Sequence, residues 1–146
     1  MAFIQEIIHD ILYVHPTHTL MVHFPVALTS SALFFMLLAL WKRSDLLEKI
    51  AFANISLASV STLVAGLFGL LDNVRFYNGQ APNHVAKIIL ASTLLVVTAV
   101  TAISRWRNQN LFHEANKKAL YVAAYFVSFA IVIVLSFLGG VILYGF

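Results

Sequence analysis

Histidines are the residues of this sequence best suited to chemistry, and three of them stand before or just inside its first long apolar segment. His15, His18 and His23 all lie in the stretch that ends at Leu28. Imidazole binds metal ions and haem iron. Ionisable side chains are also rare in lipid-spanning helices because they are costly there, so each one is a candidate for a functional site. Pro25 removes a helical hydrogen bond and predicts a kink beside His23.

Further candidate residues stand at the ends of the later apolar segments. Asp72 ends the second segment and His84 begins the third. Small residues usually let membrane helices approach closely. Small residues that face a layer of histidines would also leave room for a flat macrocycle between facing helices, where bundles commonly build cofactor sites. Four glycines lie at the level of the histidines: Gly66, Gly69, Gly139 and Gly140.

These residues predict one b-type haem, with His23 and His84 as the axial ligands of its iron and His18 as the alternative to His23. Arg75 and Lys87 are the basic residues at the same ends of the apolar segments as these histidines, and they would pair with the carboxylates of the haem. The haem would exchange electrons with a quinol or a periplasmic carrier. The chain would then be an electron-transfer subunit with no independent enzymatic activity.

Two other interpretations stay open. His15, His18 and Asp72, together with His84, form an alternative site for zinc, copper or non-haem iron, although their spacing matches no dedicated metal motif. The opposing class of protein is a structural or pigment-binding accessory subunit of a larger respiratory or photosynthetic complex.

Composition places the chain among integral membrane proteins. Of its 146 residues, 61% are apolar and only 10% are charged, and the mean hydropathy is +0.90. These values lie far outside the range of soluble domains. The absence of cysteine excludes disulfides, thiolate metal sites and iron–sulfur clusters. The net charge of +3 is spread over short loops, which argues against nucleic-acid binding.

Four apolar runs predict four helices, each long enough to cross a bilayer core of about 30 Å. We place these spans at about 17–41, 46–72, 83–105 and 117–145. Residues 3–13 carry apolar side chains three and four apart, which predicts a short amphipathic helix in the membrane interface and not a secretory signal. The predicted fold is therefore all-α: a single membrane domain over 1–146, built as an up-down four-helix bundle with an N-terminal interfacial helix.

Charge placement predicts the direction of the bundle in the membrane. By the positive-inside tendency, both termini and the loop at 73–83 lie on the periplasmic side of a bacterial inner membrane. His113 is the one histidine expected on the inner side, so this chain alone is not expected to hold a second haem. Seven of the nine basic residues stand in or beside the connections after the first and third spans: Lys42, Arg43, Lys49, Arg105, Arg107, Lys117 and Lys118.

The stretch His18-Thr19-Leu20-Met21-Val22-His23-Phe24-Pro25-Val26-Ala27-Leu28 resembles a His-Pro-x-x-Val-His-Phe-Pro-x-Ala-Leu signature. That signature marks an uncharacterised family of predicted four-helix bacterial membrane proteins, a domain of unknown function. Thr19 stands where the family has proline, and the polar tail that often follows the family's last tyrosine is absent. The resemblance continues through Gly66–Asp72, His84, Leu138-Gly139-Gly140 and Leu143-Tyr144.

The resemblance implies that His18, His23, Asp72 and His84 are the family's motif residues, with no catalytic role attached to them. Some members of the family are joined to c-type cytochrome domains. The resemblance therefore implies a redox role beside other membrane subunits of an electron-transfer complex, with a quinone or a c-type cytochrome as partner.

Overall fold

A computed structural model describes residues 4–5 and 17–144, and side chains as far as 141. Ile4 and Gln5 are helical; the rest of the interfacial helix predicted at 3–13 lies outside the described residues. The later part of the chain is helical, with α1 at Thr17–Met21, α2 at His23–Lys42, α3 at Asp45–Tyr77, α4 at His84–Arg107 and α5 at Ala115–Tyr144.

The four long helices form a closed ring of neighbours. Helix α2 packs on α3, α3 on α4, α4 on α5, and α5 returns to α2, while the short α1 packs on α3. Each of the four is long and apolar enough to cross a membrane, with α1 and α2 together forming the first span. Apolar side chains such as Leu57, Val96 and Phe137 remain exposed on the outside of the ring. The predicted all-helical membrane bundle is confirmed.

Local sequence explains where the helices begin and end. Arg43 adopts a left-handed conformation with φ of 50° and ends α2, and the Ser44 side chain accepts a hydrogen bond from the Leu47 N–H to begin α3. Asp45 and Glu48 stand in the first turn of α3, where acidic side chains favour the positive end of a helix. Helix α3 continues past Asp72 until Asn78, whose φ is 49°.

Helices α1 and α2 meet at Val22, whose φ of −67° and ψ of −21° are helical, and together they form the first span. Pro25 stands in the first turn of α2, the part of a helix in which a missing N–H is tolerated. Helical hydrogen bonds continue across Val22, from its N–H to the His18 carbonyl and from the Val26 N–H to the Val22 carbonyl. The short α1 packs on α3 and so places His18 against that helix.

The bundle has two chemically different ends. The histidine end contains α1, the start of α2, the end of α3 and the start of α4; the arginine end contains the α2–α3 turn and the α4–α5 loop. The main cluster of buried apolar residues extends from the middle of the bundle to the arginine end and includes Met36, Ile55, Phe112 and Tyr125. Large apolar side chains of that cluster do not reach the histidine end.

Candidate cofactor-binding histidine layer

His18 is held on α3 by two hydrogen bonds. Its backbone N–H donates to Oδ2 of Asp72 over 2.8 Å, and its ring nitrogen Nδ1 lies 2.9 Å from the carbonyl oxygen of Ala65. Asp72 is buried, with 7% of its surface exposed. A carbonyl oxygen can only accept, so Nδ1 of His18 carries the proton and donates it to Ala65.

Gly69 provides the space in which the His18 ring lies. A Cβ atom at position 69 would come within 2.9 Å of both Cε1 and Nδ1 of His18. Carbon and nitrogen atoms do not approach each other so closely without displacement, so any larger residue would move the imidazole away from α3. The histidine and the glycine form one packing unit.

His84 is held in a similar way by the loop that precedes α4. Its Nδ1 lies 2.8 Å from the carbonyl oxygen of Ala81 and donates to it. Ala81 is fixed in turn, because its N–H donates to Oδ1 of Asn73 over 2.9 Å. Asp72 and Asn73 are neighbours on α3, and each holds one of the two histidine-bearing segments.

Both imidazoles therefore present Nε2 as their unprotonated nitrogen. With Nδ1 protonated, Nε2 carries the lone pair. Histidines that bind metals commonly donate the other ring N–H to a backbone carbonyl or a carboxylate, which fixes the tautomer and the direction of the ring. His18 and His84 show this arrangement with Ala65 and Ala81.

His23, the other predicted ligand from the first span, has a different environment. It is the first residue of α2 and is exposed, and no hydrogen bond of its ring is found within the described part of the chain. His15, a ligand of the alternative metal site, lies outside the described residues. Among residues 4–5 and 17–144, no three histidine, aspartate or glutamate side chains form a group that could hold a metal ion.

The predicted glycines differ in their surroundings. A Cβ at Gly66 or Gly139 would meet no atom within 4 Å, so close helix packing does not explain these two residues. Gly66 lies one turn from Gly69 on α3, and Gly139 lies in the last part of α5 with Gly140, which is partly buried. Open space is therefore present beside α3 and beside α5 at the histidine end.

The two predicted basic partners are also distinct. The ammonium nitrogen of Lys87 is buried without a hydrogen-bond partner in the described part of the molecule. The Arg75 guanidinium lies over the ring of Phe76, 5.6 Å from its centre. A buried ammonium without an anion is costly, so Lys87 marks a position where an anionic group would be favourable.

A second polar network lies at the arginine end, and sequence reasoning missed it. Arg105 donates from Nε and Nη2 to the two carboxylate oxygens of Glu48 over 2.6 and 2.9 Å. The Tyr121 hydroxyl donates to Oε1 of Glu48 over 2.7 Å and accepts from the Tyr125 hydroxyl over 2.8 Å. The four side chains are buried and join α3, α4 and α5.

The amino-acid sequence contains only a weak indication of this network. In the sequence, Arg105 stands at the end of the third predicted span, and Tyr121 and Tyr125 fall within the fourth. Glu48, Arg105 and Tyr121 all stand within about two turns of helix ends that the charge pattern placed on one side. Burial of an ion pair in a membrane helix usually requires good geometry and additional hydrogen bonds, and this network supplies both. His113, also at this end, is exposed and pairs with Asp45 over 3.0 Å.

Comparison with known proteins identifies relatives only at the level of a family. A family model described as "Predicted membrane protein (DUF2231)" matches residues 14–146. No curated protein and no solved structure matches the chain. The resemblance to a family of membrane proteins of unknown function is confirmed.

Proposed function

We propose a function for this chain, which belongs to the DUF2231 family of predicted membrane proteins: it binds one b-type haem through His18 and His84 and acts as an electron-transfer subunit. The main support for the proposal is that the two imidazole rings have the same tautomer and the same kind of hydrogen-bond partner. Each donates its Nδ1 proton to a backbone carbonyl and keeps Nε2 for a ligand. Imidazole is a common axial ligand of haem iron.

The geometry favours His18 over His23 as the ligand from the first span. The His18 ring is fixed by Ala65 and by the space at Gly69, whereas the His23 ring is exposed. A ligand whose orientation is fixed before binding loses less conformational freedom when it binds. Helix α3 contacts both α1, which carries His18, and α4, which begins at His84.

Other features of the histidine end agree with a flat, anionic group. Gly66 and Gly139 leave open space, and the buried ammonium of Lys87 stands one turn along α4 from His84 without an anion. A haem carboxylate would supply that anion. When bound, the haem would supply one-electron oxidation and reduction, and the chain would orient it and determine how far water reaches it.

Charge supports a direction for electron exchange. The concentration of basic residues at the arginine end places that end on the cytoplasmic side of a bacterial inner membrane by the positive-inside tendency. The haem would then lie near the periplasmic face, where a quinol or a c-type cytochrome could reach it. Other membrane subunits would cover part of the exposed apolar surface.

The haem content of purified variants tests the proposal. The protein is produced with added haem precursor, and haem per chain is measured by pyridine haemochrome. We expect about one haem per chain in the wild type and in His23→Ala and His113→Ala, and loss of most of it in His18→Ala and in His84→Ala. Retention of haem by both of the latter would refute the assignment. A fully supplemented wild type without haem would favour the accessory-subunit interpretation.

A further inference from the structure

A long apolar groove lies between α4 and α5 on the outside of the bundle. Its volume is about 640 Å³. Its lining includes small side chains, namely Thr101 and Ser104 on α4 and Ala123 and Ala124 on α5. Since a groove of this kind faces lipid and not water, its natural occupant is an extended hydrocarbon chain.

The end of the groove nearest the α4–α5 loop is polar and basic. Asn108 and Lys117 line it there, and Glu114 joins them by accepting from the Asn108 amide over 2.6 Å and pairing with Lys117 over 2.9 Å. Arg107, next to Asn108 in the chain, is exposed, whereas the Lys118 ammonium lies over the Phe112 ring, 4.4 Å from its centre, and is not part of the mouth. Lys117 and Arg107 against the one carboxylate of Glu114 leave a net positive charge at the mouth of the groove.

The length of the groove corresponds to one leaflet. Lys117 stands at the polar mouth and Val127 at the apolar far end. A helix rises about 1.5 Å per residue, so the two positions are separated by about 15 Å along the axis. One leaflet contributes about half of a hydrocarbon core of about 30 Å. The mouth is therefore at headgroup depth when the far end is near the bilayer centre.

We propose that this groove is a binding site for an anionic phospholipid of the leaflet at the arginine end. The phosphate contacts Lys117 at the mouth, and one acyl chain lies along Ala123 and Ala124 towards Val127. The charge of the mouth selects an anionic headgroup, because each basic residue near the surface contributes about 1 kcal/mol of attraction to anionic lipid.

The same observations argue against a redox-active quinone that exchanges electrons with the histidine layer. Thr101, in the middle of the groove, and His84 stand on the same helix. At about 1.5 Å per residue they are separated by about 25 Å along its axis. A quinone that served the histidine layer would bind at the other end of the bundle.

Native mass spectrometry of the full-length protein tests the site with phosphatidylglycerol, phosphatidylcholine and ubiquinone as probes. We expect phosphatidylglycerol to bind at least about fivefold more tightly than phosphatidylcholine, the factor that corresponds to about 1 kcal/mol. Lys117→Gln should remove most of this preference, and Ala123→Phe should weaken binding of both phospholipids by filling the groove.

Two matched controls keep the test specific. Lys42→Gln removes an exposed cation from the same end of the bundle but outside the groove, and Ala130→Phe adds a ring at an exposed position of α5 that does not line it. Both should bind lipid as the wild type does. Equal binding of the two phospholipids, or equal effects of Ala123→Phe and Ala130→Phe, would overturn the proposal. So would tighter binding of ubiquinone, or a dimer that is lost in Ala123→Phe.

Discussion

The buried network at the arginine end predicts a large loss of stability when Arg105 is replaced by methionine. The carboxylate of Glu48 accepts three hydrogen bonds, two of them from Arg105. Glu48 is only 1% exposed, so its carboxylate depends on these protein donors. Removal of one partner of a buried ion pair typically costs about 3–5 kcal/mol because the other charge is left uncompensated. We expect Arg105→Met to lower the free energy of unfolding by this amount.

The double substitution makes the prediction specific. When Glu48 is also replaced by methionine, no uncompensated charge remains, and buried pairs exchanged for apolar residues are often neutral or stabilising. Glu48→Met/Arg105→Met should therefore recover most of the loss. Tyr121→Phe removes a hydrogen bond to a charged group and should cost about 1.5–3 kcal/mol.

Unfolding by SDS in mixed micelles provides the assay, with the fluorescence of Trp106, next to Arg105, as the signal. Arg107→Met is the matched control, because Arg107 stands two residues away on the same helix and is exposed. A loss for Arg105→Met no larger than that for Arg107→Met would refute the burial of the pair. If the loss of unfolding free energy in Glu48→Met/Arg105→Met equals the sum of the losses in the two single variants, direct coupling between Glu48 and Arg105 would be refuted.

Three further predictions concern the histidine end and the α4–α5 loop. Gly69→Ala should displace the His18 ring and abolish its protonated-Nδ1 signature in ¹⁵N-histidine NMR of the haem-free protein. Gly66→Ala should leave that signature unchanged, because a Cβ at position 66 meets no atom within 4 Å. Equal spectra of the two variants would contradict the packing of His18 against Gly69. Lys87→Met should stabilise the haem-free protein by about 1–3 kcal/mol, because it removes a buried donor without a hydrogen-bond partner, and it should weaken haem binding. A loss of stability of the haem-free variant in SDS titration would contradict the burial of the ammonium. Hydrogen bonds from Asn108 and Lys117 lower the pKa of Glu114 from its ordinary value of 4.5. The stabilising contribution of the ionised Glu114 is thus present above pH 4.5 and is lost as the pH falls through the lowered pKa. The Lys117 and Lys118 amides donate to the Glu114 carbonyl, so their hydrogen exchange at that low pH, relative to neutral pH, should be faster in the wild type than in Glu114→Gln. Identical pH profiles of exchange in the two proteins would refute this prediction.

The spans and the general position of the histidine layer follow from the sequence, because long apolar runs are a one-dimensional signal. The choice between His18 and His23 does not follow. It depends on contacts of His18 with Asp72 and with the carbonyl of Ala65, two residues far away in the sequence. Gly66 and Gly69 show the same limit, since identical residues one turn apart differ in what lies opposite them.

The network of Glu48 and Arg105 was missed for a related physical reason. Charged residues near the ends of spans usually extend to water, and sequence alone does not give the rotation of each helix about its axis. Burial of this pair depends on α3, α4 and α5 turning these residues towards one another, with Tyr121 added from α5. Such contacts across helices become visible only when the helices are packed.

The measurement that tests the central proposal most directly is near-infrared magnetic circular dichroism of the oxidised, haem-loaded wild type, which identifies the pair of axial ligands. We expect low-spin iron with two imidazole ligands, unchanged in His23→Ala. A high-spin spectrum, a ligand pair other than two imidazoles, or a change caused by His23→Ala would contradict the assignment of His18 and His84.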